Sequence, residues 1–353
     1  MKKLGEVALC RIDFNITYAV TGLQVSTLIQ GGGPVRSVCI LSACLLLIVA
    51  AVNTATAETT IRVASYNIAN LGDTPEQVRS LVTIANALIE INPDVVAIQE
   101  VEPNTKGRDQ IQGLVWLLNK AADYHERTRY DYIISEEFET GDESYAFIWR
   151  SPVYLDYELF LLPHEDDPDS DGKPTFVRVP VVATFTLGDH EFEVVNCHLY
   201  TKIVGVSAEG RGTELTELAN YLNGYEEDNI IVLGDFNRFL NGKDVWENIY
   251  AAGHESHYSF PLLEAMPPDF DPAVHDAPQD MYSTTTSKSK RIYDQIIISK
   301  ALFDEFGTAS FGSNVGIVAF DMRPEFEWFG DDWNTVSKII SDHRPIWIEL
   351  TFE

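Results

Sequence analysis

Apolar residues recur at every second position in some stretches of this chain and at every third or fourth in others, so strands and helices are expected by turns. The pattern predicts a strand over 61–66, a helix over 75–91, a strand over 94–99 and a helix over 110–122. Five strand-like runs follow, at 130–134, 145–149, 153–161, 177–187 and 191–199, separated by short polar breaks suited to antiparallel pairing. A helix over 208–222 leads into a strand over 229–233. The last third adds a helix over 244–250, strands over 292–298 and 346–350, and a Pro- and Asp-rich connection over 261–278. No internal repeat appears, and no linker is long enough to divide residues 58–353, so one α/β domain of mixed sheets with helices outside is expected there.

Residues 38–52 form an uncharged apolar run of 15 residues, short for a bilayer span, and Ala55-Thr56-Ala57 follows it. This reads as a secretory signal peptide cleaved near Ala57, which makes the protein exported, secreted or periplasmic. Residues 1–34 are long for an n-region and carry Glu6 and Asp13 among their basic residues. A start at Val35, with Arg36 as the basic n-region, would give an ordinary signal. The rival readings are a genuine N-terminal extension and an uncleaved membrane anchor. Cys10, Cys39 and Cys44 lie in the part expected to be removed, which leaves Cys197 alone and allows no internal disulfide. Cys197 falls within the alternating strand 191–199 and is read as a core residue rather than a nucleophile.

The 353 residues are 45% hydrophobic and 22% charged, enough apolar content to build a large core. Their formal charge is −29, and cleavage after residue 57 removes four basic and two acidic residues, moving it to −31. Such a surface repels polyanions at long range, so a nucleic-acid substrate needs divalent cations, salt or a local basic patch to approach.

Polar groups close several of the apolar runs. Asn67 follows Val63-Ala64-Ser65-Tyr66, Glu100 follows 95–99, His198 follows 194–197, and Asp235 follows 230–234. Ser341-Asp342-His343-Arg344-Pro345 stands just before the last strand, and Gly234-Asp235-Phe236-Asn237 just after another. If these strands are neighbours, their ends converge on one cleft. Taken singly, each polar group could be a strand cap or turn residue. Oxygen donors such as Glu100, Asn67 and Asp342 suit Mg²⁺ or Mn²⁺, whereas zinc calls for a denser His/Cys cluster. His198 and His343 can exchange protons near neutral pH, and placed on opposite sides of a phosphate they can serve as acid and base.

The ordered set Ser65-Tyr66-Asn67, Gln99-Glu100, Asn196-Cys197-His198-Leu199, Gly234-Asp235-Phe236-Asn237, Tyr293-Asp294 and Ser341-Asp342-His343 resembles the endonuclease/exonuclease/phosphatase superfamily, closest to its deoxyribonuclease I-like branch. That resemblance implies a four-layer α/β sandwich, two mixed and mainly antiparallel sheets packed face to face with helices outside. It also implies metal-dependent hydrolysis of a phosphate ester. Carried over residue by residue, it makes Glu100 the main metal ligand, with Asn67 and Asp342 nearby. Asp235 and Asn237 become the pair that orients water and phosphate, His198 and His343 the catalytic imidazoles, Glu143 and Asp294 the carboxylates that orient them, and Arg178 a phosphate contact. Glu102 stands where the branch carries a minor-groove arginine, and Gly141 where it carries a stacking tyrosine.

Other features are weighed against plainer readings. Asp167-Pro168-Asp169-Ser170-Asp171-Gly172 has the opening spacing of a calcium loop, but Arg178 occupies its twelfth position. A solvated acidic loop is therefore preferred to a structural Ca²⁺ site. Lys288-Ser289-Lys290-Arg291 is the densest basic cluster and could guide a phosphate backbone, although an isolated charge run is more often a solvated turn. The leading expectation is an exported Mg²⁺-dependent endonuclease acting on DNA, with RNA as a further substrate. The alternatives are a phosphodiesterase or phosphatase acting on a lipid head group or small phosphoester, for which Trp328-Phe329 is the only apolar rim candidate, and a catalytically silent binding protein. No protein partner is expected.

Overall fold

The computed structural model describes residues 58–72, 80–135, 143–156, 159–163, 176–199, 208–224, 228–237, 258–267, 280–286, 292–323 and 333–353. The signal segment 1–57, the acidic loop 167–172, the helix expected over 244–250, the basic cluster 288–291 and Trp328-Phe329 lie outside them. All described residues belong to the compact unit Ala57–Glu353. Along the chain the elements are β1 (Thr59–Leu71), α1 (Leu81–Ile91), β2 (Val95–Val101), α2 (Thr105–Tyr124), β3 (Tyr130–Ile134), β4 (Ser144–Arg150), β5 (Val153–Leu155), β6 (Phe160–Leu161), β7 (Val181–Leu187), β8 (His190–His198), α3 (Ala208–Gly224), β9 (Ile230–Asp235), β10 (Tyr258–Ser259), α4 (Pro261–Glu264), β11 (Asp294–Ser299), α5 (Phe303–Phe306), β12 (Val315–Ile317), α6 (Trp333–Ile339) and β13 (Ile346–Phe352). Among the described residues no helix is long and apolar enough to cross a membrane.

Among the described residues two sheets form, one in the order β12-β13-β1-β2-β4-β3, the other β10-β11-β9-β8-β7-β5 with β6 also on β7. Each contains one parallel pair, β1 with β2 and β8 with β9, and is otherwise antiparallel. A parallel pair cannot be closed by a tight turn, and in both cases a helix lies in the crossover, α1 in one sheet and α3 in the other.

The pleat sends alternate side chains to opposite faces and so sorts the layers. Ile61, Val63, Val95 and Ala97 of the first sheet meet Val194, Ile231, Leu233, Ile296 and Ile298 of the second in the central core. The interleaved Ala64, Tyr66, Val96 and Ile98 pack under α1 and α2 through Ile84, Leu88, Ile111 and Leu114. On the far side Val195, Cys197, Ile230 and Val232 pack under α3 through Leu215, Leu218 and Leu222. The result is a four-layer α/β sandwich, as the resemblance implied.

Local signals account for several boundaries. Among the described residues α1 begins at Leu81, where the Ser80 side chain accepts from Thr83 N and caps the first turn. Asn104 caps α2 through Gly107 N, which starts that helix earlier than its apolar periodicity alone indicates. The strand expected over 177–187 begins only at Val181, after Pro180, whose ring has no N–H for a ladder. The run over 153–161 is divided into β5 and β6, and both pair with β7. Cys197 is buried and unpaired by any disulfide, and burial drives its thiol pKa well above the ordinary value, in keeping with a core role.

Gly234 allows β9 to lie close against β8: a Cβ there would stand 1.8 Å from the Cys197 carbonyl oxygen, and its φ is +145°. Gly234→Ala should therefore destabilise the fold by about 3 kcal/mol or more, combining overlap with a backbone conformation that L residues avoid. The midpoint of urea unfolding would show it; an unchanged midpoint would refute the close approach.

Candidate active site

The topology carries the polar strand ends to one edge. In a parallel pair both strands finish at the same edge of the sheet, and in open α/β sheets that edge forms the usual ligand crevice. Here β1 and β2 bring Asn67 and Glu100 there, while β8 and β9 bring His198 and Asp235. Antiparallel neighbours start where these strands stop. Thus β4 delivers Glu143 from just before its first residue, β11 delivers Asp294, which pairs with Asp235, and the turn into β13 delivers His343.

On the facing sheet surfaces the core changes from apolar to polar toward this edge. Ile61 and Val63 are followed by Ser65 and Asn67, Val95 and Ala97 by Gln99, Val194 by Asn196 and His198, and Leu233 by Asp235. Gln99 Nε2 reaches across the sandwich to Asn196 Oδ1 at 2.7 Å and, within its own sheet, to Ser65 Oγ at 3.0 Å. Asn196 Nδ2 donates back to the carbonyls of Ile98 and Ala146 at 3.1 and 3.3 Å. This buried amide layer is the floor of the site.

Glu100 follows Gln99, so simple alternation would turn it toward the helices. Its φ is +58°, within a register shift between Ile98 and Val101, and this bulge re-aims the carboxylate into the cleft. A second irregularity faces it in β1, where Ala69 and Asn70 have φ of 52° and 57°. The strand therefore continues beyond Asn67, which does not close it as expected. Glu100 Oε1 accepts from Asn67 Nδ2 at 2.8 Å, and Oε2 from Asn70 N at 2.9 Å. Asn67 also donates to Asp235 Oδ2 at 3.1 Å, and its own oxygen accepts from Ala69 N. In this arrangement its amide bridges two carboxylates.

Each imidazole has its own carboxylate. His198 Nδ1 lies 2.7 Å from Glu143 Oε2, and His343 Nδ1 lies 2.8 Å from Asp294 Oδ2. The opposite nitrogens face a common point, with His198 Nε2 3.6 Å and His343 Nε2 3.3 Å from Asp235 Oδ2. His198 Nε2 is also 3.7 Å from Glu100. Glu143 is shared, its Oε1 pairing with Arg178 Nη2 at 2.8 Å, while Arg178 Nη1 is buried with no hydrogen-bond partner among the described residues. Asn237, at φ +50°, gives its N–H to Asp235 Oδ1 and its Nδ2 to Leu199 O.

All the candidate residues thus gather in one cleft except Asp342, which is exposed at its margin and acts on Glu100 and His343 through its charge. Two groups escaped the sequence reading. Tyr145 OH accepts the His198 backbone N–H at 2.9 Å, which fixes that end of β8. Ser283-Thr284-Thr285-Thr286 is buried beside the His343 turn, and its run of hydroxyls within a polar connection was the available signal.

Electrostatics show an excess of buried negative charge. Burial raises the pKa of Glu100, and the charges on Glu143 and Asp342 add to it, against His198 and the Asn67 hydrogen bond. Burial also pushes Glu143 up, but bonding and charge from His198 and Arg178 prevail and hold it below the ordinary range. Burial disfavours charge on both rings. Around His198 the Glu143 hydrogen bond and the charges of Glu100 and Asp235 reverse this and raise its pKa. Around His343 the Asp294 and Asp235 charges do the same. Burial takes Asp294 up to about 6, against the charge and hydrogen bond of His343, which lower it.

Among the described residues two groups of side chains could hold a cation, Glu100 with His198 and Asp235, and Asp235 with Asp294 and His343, their donor atoms within 4.8 Å of one another. Carboxylate oxygens dominate, and both Nδ1 atoms are already engaged. That donor set fits a hard divalent ion.

Comparison with known proteins agrees with this geometry. A family model described as Endonuclease/Exonuclease/phosphatase family matches residues 64–343. The chain belongs to this family. Its members are phosphoester hydrolases, and the likeness extends to the deoxyribonuclease I-like branch. Deoxyribonuclease-1 of Rattus norvegicus is 26% identical over 306 residues, covering 82% of this chain and 92% of the relative. Among solved structures, a D. rerio TDP2 complexed with single strand DNA product shares the fold at TM-score 0.52 and 15% identity, covering 83% of this chain and 99% of that one. A family protein from Bacteroides thetaiotaomicron does so at TM-score 0.50 and 18% identity, covering 84% and 100%.

The buried negative charge leads to a test that needs no substrate. Millimolar Mg²⁺ or Mn²⁺ should raise the melting temperature of the purified protein, since a ligand that binds only the folded state stabilises it. Glu100→Gln should abolish that rise without lowering the metal-free melting temperature, because the lost carboxylate was desolvated among like charges. An undiminished rise in the variant would remove Glu100 from the metal site.

Proposed function

We propose that this protein is an exported endonuclease that hydrolyses phosphodiesters of DNA with the help of Mg²⁺ or Mn²⁺. The observation that carries the reading is the convergence of two carboxylate-backed imidazoles on Asp235 Oδ2, at 3.6 and 3.3 Å, from opposite sheets. Family membership supplies the reaction class, and the Deoxyribonuclease-1 relatives favour DNA. Export rests on the apolar segment before Ala57-Glu58.

In this reading Glu100 holds the cation, with Asp235, Asn67 and Asp342 around it. Bound there, the ion would offset the carboxylates and polarise a phosphoryl oxygen. Arg178 is aimed by Glu143, and its unengaged Nη1 is free to bond a phosphate oxygen and complement charge that develops in the transition state. Asn237 stands beside Asp235 to help orient water and phosphate. Asp235 accepts a proton from the attacking water as the new P–O bond forms. A protonated ring, its charge favoured by Glu143 or Asp294, gives its proton to the departing oxygen as the old P–O bond breaks.

Nicking of supercoiled plasmid by the purified protein tests this. Activity should require Mg²⁺ or Mn²⁺, disappear with EDTA, and fall about 10²–10⁴-fold in His198→Ala and in Asp235→Ala, the range typical of lost acid or base groups. Full activity in both variants would displace the proposed site. Hydrolysis of bis(p-nitrophenyl) phosphate without plasmid nicking would replace DNA by a small phosphoester.

A further inference from the structure

The second imidazole is held by more than Asp294. Ser283, Thr284, Thr285 and Thr286 are all buried, and they run alongside the turn that contains His343. Thr285 bridges to His343, Thr286 N donates to Asp342 O at 2.8 Å, and Arg344 N donates to Thr284 O at 2.6 Å. Arg344, wholly buried, locks this pairing: Nη1 donates to Ser283 O at 2.9 Å, while Nε and Nη2 engage both oxygens of Asp321 at 2.6 and 2.8 Å.

Thr284 contacts Asp294 and the residue that follows His343. Its Oγ1 accepts the backbone N–H groups of Tyr293 and Asp294 at 2.9 and 3.1 Å. A hydroxyl oxygen that accepts twice still has one hydrogen to give, and a carboxylate takes it without offering one back. That carboxylate is Asp294, which forms a side-chain hydrogen bond with Thr284. The same residue therefore grips the start of β11 through its side chain and the residue after His343 through its carbonyl.

We propose that Thr284 is a positioning residue of the hydrolytic site, setting the Asp294 carboxylate against His343 Nδ1 so that Nε2 stays directed at Asp235. The assignment rests on the reading of His343 as a catalytic imidazole. Valine at 284 would nearly match threonine in volume, yet it would withdraw the donor from Asp294 and leave two backbone N–H groups without their acceptor. By analogy with the outer partners of metal-site residues, a group that orients such a carboxylate is worth about 10–100-fold in activity.

The test compares kcat and KM on supercoiled plasmid and on bis(p-nitrophenyl) phosphate for the wild type, Thr284→Ser, Thr284→Val, His343→Ala and the Thr284→Val/His343→Ala pair. The low-field NMR signal of the His343 Nδ1 proton is followed in the first three. Thr284→Val should lower kcat about 10–100-fold with KM nearly unchanged, and the low-field signal should weaken. Thr284→Ser should restore both. The double variant should be no slower than His343→Ala, since the two losses act through one ring. Wild-type kcat and an intact signal in Thr284→Val, with His343→Ala impaired, would overturn the Thr284 assignment alone, as would fully additive losses in the double variant. Wild-type activity in His343→Ala would overturn the catalytic reading of that ring and this assignment with it. If Thr284→Val does not fold, Thr284→Ala takes its place under the same outcomes.

Discussion

The hydrogen bond from Gln99 Nε2 to Asn196 Oδ1, 2.7 Å long and fully buried, sets the level at which one sheet faces the other. Valine, isoleucine and leucine pack interchangeably to within a modest cost, so the apolar part of the central core does not by itself specify a single register. Amides do. A two-residue slip would keep the inward faces inward, but it would separate Gln99 from Asn196 and leave buried polar atoms unsatisfied at about 1–3 kcal/mol for each group. Against a typical total stability of about 5–15 kcal/mol, that penalty decides the register. Because Glu100 is the next residue and His198 lies two further along β8, the same bond places a carboxylate of one sheet 3.7 Å from an imidazole of the other.

Above that floor each sheet contributes a β-α-β unit whose strand ends meet, with antiparallel neighbours beginning at the same edge. The arrangement gives both imidazoles the same logic. In each, Nδ1 turns outward to its own carboxylate and Nε2 turns inward to Asp235. A carboxylate accepting from Nδ1 selects one tautomer and strengthens the other nitrogen as a base, or favours the charged ring as an acid. The two dyads differ in their outer partners. Glu143 is held below the ordinary range by His198 and then by the Arg178 guanidinium, whereas Asp294 bonds the neutral Thr284 hydroxyl and sits in a drier place where burial raises its pKa. Two rings with similar first partners are thus given unequal outer environments.

Much of this was legible in the chain. The step from apolar to polar at period two, Val194 to Asn196 to His198 and Leu233 to Asp235, marks both the inward face and the point where the core opens. Glu100 was legible as a strand-end acid of the cleft, but the left-handed backbone that turns it inward was not, since glutamate does not advertise it. Asn67 was legible as a polar group of the cleft, but its amide bridge between Glu100 and Asp235 was not, since that requires knowing both partners. Thr284 lies in a connection without periodicity and meets Asp294 ten residues on, so only the folded chain reveals its contact. The strand over 177–187 was overextended because alternation was counted through Pro180, where the ladder cannot begin.

Substrate choice obeys different physics from the chemistry. The groups proposed to react stand on or beside strand ends, where register holds them. Loops around such an edge carry the contacts that choose a substrate, and they are free to vary because little of the core depends on them. Glu102, two residues beyond Glu100, adds negative charge where the branch resemblance places a duplex-contacting arginine, and the chain as a whole carries −29. Long-range repulsion of a polyanion reaches about a Debye length, roughly 8 Å at physiological salt, whereas attraction by Arg178 and a bound divalent ion acts within the cleft itself. Cations in solution would therefore act twice, weakening the field that opposes approach and occupying the carboxylate cluster that must be neutralised before a phosphate can enter. An acidic surface is thus compatible with a polyanionic substrate wherever divalent ions are abundant.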